Sequence, residues 1–130
     1  MTNEIDLSPL QLAVLRTVWQ RGEATVAEVH AALEPERRLA STTVATLLSR
    51  LEKRGFLAHR MEGRQFIYRS TISELDVRRS MVSELTRTLF QGDPAALVSH
   101  LIKTEDIRPG DLERVRALLA ARSEEKNDAE

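Results

Sequence analysis

Between residues 41 and 69 the chain reads STTVATLLSRLEKRGFLAHRMEGRQFIYR. The polar side chains of its first half are hydroxyls and cations at helical spacing. At about 100° per residue, Thr42, Thr46, Ser49 and Lys53 fall on one side of a helix, and Thr43 and Arg50 flank them. Small hydroxyls lead and cations follow. Small side chains let a helix backbone sit deep in a DNA groove, where hydroxyls and cations bond to base edges and phosphates. The chemistry implied is recognition of double-stranded DNA, not bond making. Arg60 and Arg64 lie beside the turn Glu62-Gly63-Arg64, where they are placed to reach a backbone phosphate or the minor groove.

Other chemistry finds little support. The chain shows no Ser/His/Asp set, no paired carboxylates in an apolar setting and no Gly-rich phosphate loop. The three histidines fall in three different elements, and His30 has no His, Asp or Glu at metal-ligand spacing, so it is read as a surface or partly packed side chain. The absence of cysteine removes disulfides, thiolate metal sites and a cysteine nucleophile, and fits a reducing cytoplasm. No enzyme activity, metal or cofactor is expected.

The elements that must hold the DNA-facing residues follow from the apolar pattern. Val44, Leu47, Leu48 and Leu51 stand at the i, i+3, i+4, i+7 spacing of a buried face. They predict a recognition helix over 41–54, with Ser41 as N-cap and a stop at Gly55. Residues 57–61 and 65–69 alternate around Gly63 and predict a two-stranded hairpin, the wing 57–69, with Phe66 and Tyr68 on one side and Gln65, Ile67 and Arg69 on the other. Upstream, Ser8-Pro9-Leu10-Gln11 is a capping box with proline at the first helical position. It opens a helix that buries Leu12, Leu15, Val18 and Trp19 and ends at Gly22. Thr25-Val26-Ala27-Glu28 is a second capping box, opening a helix with Val26, Val29 and Leu33 inward that stops at Glu34-Pro35. Three short amphipathic helices, the last with a polar outer face, make a helix-turn-helix.

After residue 71 the composition shifts. Ser73 caps a long helix to about Gln91, Asp93-Pro94 opens another, and a polar connection from Lys103 to Gly110 leads to a third marked by Leu112, Val115, Leu118 and Leu119. A helical unit of roughly fifty residues is marginal alone, and a second copy of the chain is its natural partner. Leu85, Leu89, Leu97, Leu101, Leu112, Val115 and Leu119 are the expected dimer contacts. The fold class is therefore mainly α (α+β): a winged helix-turn-helix domain at 1–71, a three-helix dimerisation region at 72–122 and a polar, fraying tail at 123–130.

Charge distribution supports this division. The chain of 130 residues is 42% hydrophobic, 30% charged and 4% aromatic, with net charge −1, a globular composition. Residues 37–69 hold eight cations (Arg37, Arg38, Arg50, Lys53, Arg54, Arg60, Arg64, Arg69) against Glu52 and Glu62, a net +6, whereas residues 71–130 hold nine cations and twelve acids, a net −3. A basic patch on a near-neutral protein is the electrostatic footprint of a specific DNA binder. No apolar run reaches the ~18 residues of a membrane span, and MTNEIDLSPL is acidic without an apolar core, so neither membrane insertion nor a signal peptide is expected.

These residues together resemble the penicillinase-repressor family (BlaI/MecI type) of winged-helix regulators over about Leu7 to Ala121. The match rests on Leu15 and Trp19, the block Thr43-x-x-Thr46-Leu47-x-x-Arg50-Leu51-x-Lys53-x-Gly55-Phe56, the wing ending Phe66-x-Tyr68, and the later Gly92, Leu97-Val98 and Glu105-Asp106. The resemblance implies a cytoplasmic homodimer that binds an inverted-repeat operator and blocks transcription, with Thr42, Thr43, Ala45, Thr46 and Arg50 at the reading positions. It also implies release by a signal acting on the C-terminal region, through cleavage by a membrane sensor protease. Ala45 stands where well-known members carry a longer polar side chain, so only apolar contact, for instance with a thymine methyl, is open to it. His100-Leu101 stands at the candidate proteolytic site, where cleaved members have Asn-Phe. The paired cysteines of the copper-responsive branch are absent.

Two other readings compete. A winged-helix module that binds protein needs an apolar patch on the outer helix face and wing tip. A winged-helix regulator released by a small ligand needs a pocket, which at a dimer interface leaves no trace in one sequence.

Overall fold

The computed structural model describes residues 5–128, the last by its backbone alone. Residues 1–4, part of the segment expected not to be a signal peptide, and residues 129–130 of the tail lie outside the described residues. The chain divides into two compact units, Met1–Val82 and Ser83–Glu130.

The first unit opens with α1, Pro9–Arg21. The Ser8 hydroxyl accepts from the Gln11 N–H at 3.1 Å, and the Gln11 side chain accepts from the Ser8 N–H at 2.9 Å. Two otherwise unsatisfied donors are thus covered reciprocally. Gly22, at φ +83°, ends the helix in a conformation that costs glycine least. Thr25 and Glu28 repeat the capping box at the start of α2, Val26–Leu33. The Thr25 backbone N–H and then its hydroxyl hold the Glu28 carboxyl below its ordinary range. After Pro35 the chain turns into α3, Ser41–Lys53.

The cap of α3 departs from expectation. Ala40, not Ser41, is the N-cap: it has extended backbone, and its carbonyl accepts from Thr43 and Val44. Ser41 is already helical, and no side chain caps this end. The entry is fixed instead from α2, where His30 Nε2 lies 2.7 Å from the Leu39 carbonyl. A carbonyl only accepts, so that nitrogen carries the proton.

The wing is part of a larger sheet than the hairpin expected. β2 (Leu57–Glu62) and β3 (Gln65–Ser70) form the hairpin, and β1 (Glu23–Thr25) pairs antiparallel with the far edge of β3, giving the order β1-β3-β2. β1 has three residues and one buried side chain, Ala24, too few for period-two alternation to register. The core gathers Val14, Leu15 and Val18 of α1, Val29 and Leu33 of α2, and Val44, Leu48 and Leu51 of α3, closed by Leu57 and Tyr68. Leu12, Trp19 and Leu47 are half-buried at its margin, not inside it. Trp19 stays at the edge because its indole N–H needs acceptors, found in Ser70 Oγ at 2.9 Å and the Ile72 carbonyl at 3.0 Å.

α4, Glu74–Phe90, begins in the first unit and ends in the second; α5 is Pro94–Lys103 and α6 is Pro109–Asp128. Asp93 caps α5 through the Ala95 N–H at 3.0 Å. α6 runs on through Ser123, where fraying was expected, because Glu124, Glu125 and Lys126 are good helix formers. None of the described residues of the second unit is buried.

Leu48 is fully enclosed between α3 and its neighbours. Leu48→Ala should therefore lower the unfolding free energy by about 2–5 kcal/mol, measured by urea denaturation followed at 222 nm. A loss below about 1 kcal/mol would contradict this packing.

Candidate nucleic-acid interface

Burial of Val44, Leu48 and Leu51 fixes the rotation of α3 about its axis. Thr42, Thr43, Thr46, Arg50 and Lys53 are consequently exposed, while Ala45 and Ser49 are partly covered. Thr42, Thr43, Thr46, Leu47 and Arg50 line one shallow depression along this face. The Thr46 hydroxyl donates to the Thr42 carbonyl at 3.0 Å, so what it offers outward is a methyl group and oxygen lone pairs.

A second hollow joins the helix starts to the wing. Thr25, Val26 and Ala27 at the head of α2, Ser41 at the head of α3, and Arg64, Gln65 and Phe66 of the hairpin surround it. The elements carrying expected DNA contacts are thereby brought to one side of the first unit.

The basic stretch is not uniformly available. Among the described residues, Arg50, Lys53 and Arg64 make no ion pair or side-chain hydrogen bond. Arg54, although exposed, is engaged: its guanidinium donates to the Asp6 carbonyl and reaches Gln11 Oε1 at 3.4 Å, and it sits 5.0 Å from the Phe56 ring centre. Arg60 is also engaged. Its Nε and Nη2 donate to the Glu23 carboxylate at 2.9 and 3.4 Å, and its Nη1 donates to Glu62 at 3.0 Å. The hydrogen bond from Arg60 holds the Glu23 carboxyl below its usual range; burial opposes it, and the charges of Arg60 and then Arg69 add to it.

Sequence reasoning passed over Glu23, because β1 was not foreseen, and over His59. The His59 Nδ1 lies 2.7 and 2.8 Å from the two carboxylate oxygens of Glu52, and its ring stacks on Phe66 with centres 4.2 Å apart. This contact ties β2 to the last turn of α3. No local motif announces a pair made by strand register, as Glu23–Arg60 is, or by the packing of a helix end on a strand, as Glu52–His59 is.

None of the large exposed apolar side chains lies on the outer face of α3. Met61 and Phe66 are exposed on the hairpin, and Leu75 and Val82 on α4. Of the expected dimer contacts, Leu85, Leu89, Val115 and Leu119 are exposed, and Leu97, Leu101 and Leu112 are half-buried. His100 and Leu101 lie within α5, and their carbonyls accept hydrogen bonds from Thr104 and Asp106. Among the described residues no group of three His, Cys, Asp or Glu could hold a metal ion, and no helix is long and apolar enough to cross a membrane.

Comparison with known proteins gives a consistent picture. A sequence model of the family described as penicillinase repressor matches residues 7–121. A 16.5 kDa protein of Latilactobacillus sakei without an assigned function is 30% identical over 122 residues, spanning 94% of this chain and 82% of its own. The penicillinase repressor of Bacillus licheniformis is 23% identical over 122 residues, covering 94% of this chain and 95% of its own. Among solved structures, the DNA-binding domain of the repressor BlaI superposes with a TM-score of 0.51 at 33% identity, covering 58% of this chain and 93% of that domain.

The Glu23–Arg60 pair has a pH signature. A carboxyl lowered by its partner stays ionised and paired above its folded-state pKa, and the pair is lost as pH falls through that value. In an NMR titration the Glu23 carboxyl should therefore reach its midpoint below that of the same glutamate in the unfolded chain. Arg60→Ala should move the midpoint back up; an unmoved midpoint would rule the pairing out.

Proposed function

The chain belongs to the penicillinase repressor family, a family of DNA-binding repressors and not of enzymes, and on that premise we propose that it is a cytoplasmic homodimer that represses transcription from an inverted-repeat operator. One observation carries the reading. α3 is anchored by three fully buried side chains, and its opposite face presents Thr42, Thr43, Arg50 and Lys53 to solvent. α3 enters the major groove, where Thr42, Thr43, Ala45, Thr46 and Arg50 meet base edges and Ser49 and Lys53 meet the backbone. The β2–β3 hairpin lies over the flanking backbone or minor groove, led by Arg64, with Arg60 behind it.

The dimer is supported by what the second unit lacks. Its described residues include none that is buried, while Leu85, Leu89, Val115, Leu118 and Leu119 are exposed. Apolar side chains in that number mark a surface meant to be covered. A second copy placed by a twofold axis would cover them and set two copies of α3 on two operator half-sites. Release would act on this region. If a membrane sensor protease cuts at His100-Leu101, that bond must first leave a hydrogen-bonded helix, so cleavage would depend on local opening of α5.

Footprinting on the DNA upstream of the gene should show a protected inverted repeat, with affinity falling steeply as salt rises. Arg50→Ala should weaken this binding by about 1–3 kcal/mol, or roughly 5- to 150-fold, with the circular dichroism spectrum unchanged. Absence of protection, or full affinity without Arg50, would remove α3 as the reading element.

Sedimentation velocity tests the dimer. Leu89→Asp buries a charge in the proposed interface and should shift the protein to monomer at micromolar concentration. A variant that remains fully dimeric would place the interface elsewhere.

A further inference from the structure

The outer face of the sheet holds a small ionic cluster in which Arg60, a proposed DNA contact, is held by two carboxylates that the DNA-binding reading leaves without a role. Strand register puts Glu23 opposite Arg69, Thr25 and Arg60 both opposite Ile67, and Glu62 opposite Gln65. Directly opposed residues share a face, so Glu23, Arg60, Glu62, Ile67 and Arg69 lie on one side of the sheet. The Arg60 guanidinium starts on β2, crosses the central strand and reaches Glu23 on β1, while its remaining amino group is held by Glu62. Ile67, over which this bridge passes, is 9% exposed although it is not part of the main core. With Arg69 facing Glu23, two carboxylates and two guanidiniums make a formally neutral cluster. Arg64, at the tip beyond, remains unpaired among the described residues.

We propose that Glu23 and Glu62 are built-in competitors of DNA phosphate for Arg60: in the free protein they hold its guanidinium as a strap across the sheet, and on DNA the guanidinium exchanges to a phosphate oxygen, so that the two carboxylates set how tightly the wing engages. This rests on the DNA-binding reading of the preceding subsection. Three features support the exchange. The pairs are exposed, with side-chain accessibilities of 52% for Arg60, 47% for Glu23 and 65% for Glu62, and exposed ion pairs are weak. A guanidinium has five N–H donors, and three hydrogen bonds to the two carboxylates leave donors free to meet a phosphate before any pair breaks. Duplex DNA presents about one negative charge per 1.7 Å of axis, a far denser acceptor than two carboxylates, one of which Arg69 also attracts.

The test is a thermodynamic cycle read as dissociation constant against salt on one operator fragment. It uses the full chain as native protein, Glu23→Gln/Glu62→Gln, Arg60→Ala and the triple variant. Freeing Arg60 should tighten binding about 3- to 10-fold, and Arg60→Ala should flatten the log–log salt slope by about one. In the Arg60→Ala background the glutamine substitutions should change affinity less than about twofold. Arg60→Lys, which keeps the charge without the fork, should retain the slope and guards against a fold defect in the alanine variant. An equal gain with and without Arg60 would mean simple repulsion of DNA by the two acids and would overturn the exchange. So would an Arg60→Ala variant with native affinity and slope. Either result leaves DNA binding by α3 standing, whereas a native chain that binds no DNA at low salt removes both.

Discussion

The packing of one face of α3 governs the rest of the first unit. Val44, Leu48 and Leu51 have no exposed surface, and burying an aliphatic side chain of this size is worth about 1.5–3 kcal/mol. That energy holds the helix at one rotation. A change of register by a single residue would turn the helix by about 100°, burying hydroxyls and exposing leucines. α1 and α2 serve mainly as the wall against which this stripe closes, and the sheet seals its end through Leu57 and Tyr68. Which side chains α3 presents to solvent is thus a consequence of the core.

Local signals were legible in the sequence, and distant pairings were not. The Ser8–Gln11 and Thr25–Glu28 boxes, the stop at Gly55, the turn at Gly63 and the stripe of α3 each lie within a few residues, and each appears where its spacing placed it. Ala40 displaced Ser41 as cap because the chain before α3 is held from α2 by His30 through the Leu39 carbonyl, a tertiary contact. β1 went unseen because three residues carry no periodicity. The engagement of Arg60 by Glu23, 37 positions away, exists only once β1 lies on β3. The outward side chains of α3 were therefore readable in advance, and the pairing of the charged side chains on the sheet face was not.

The two units solve the burial problem differently. The first has its own core and a basic face in which some cations are already committed: Arg54 to the segment before α1, Arg60 to the sheet. Counting cations along the sequence therefore overstates the field a ligand meets. The second unit has well-capped helices, with Asp93 opening α5 and a left-handed Gly92 closing α4. Leu85, Leu89, Leu118 and Leu119 are nevertheless exposed, and Leu97, Leu101 and Leu112 only half-buried.

The Trp19 contact has a practical side. The chain contains one tryptophan, and its indole is held by Ser70 and Ile72 where the hairpin ends, half in and half out of the core. Indole emission responds to polarity and to hydrogen bonding at the ring nitrogen, so the one indole of the chain already sits at the seam between α1 and the root of the wing. Changes at that seam should therefore be readable by indole fluorescence in the unlabelled protein, with no second tryptophan to blur the signal.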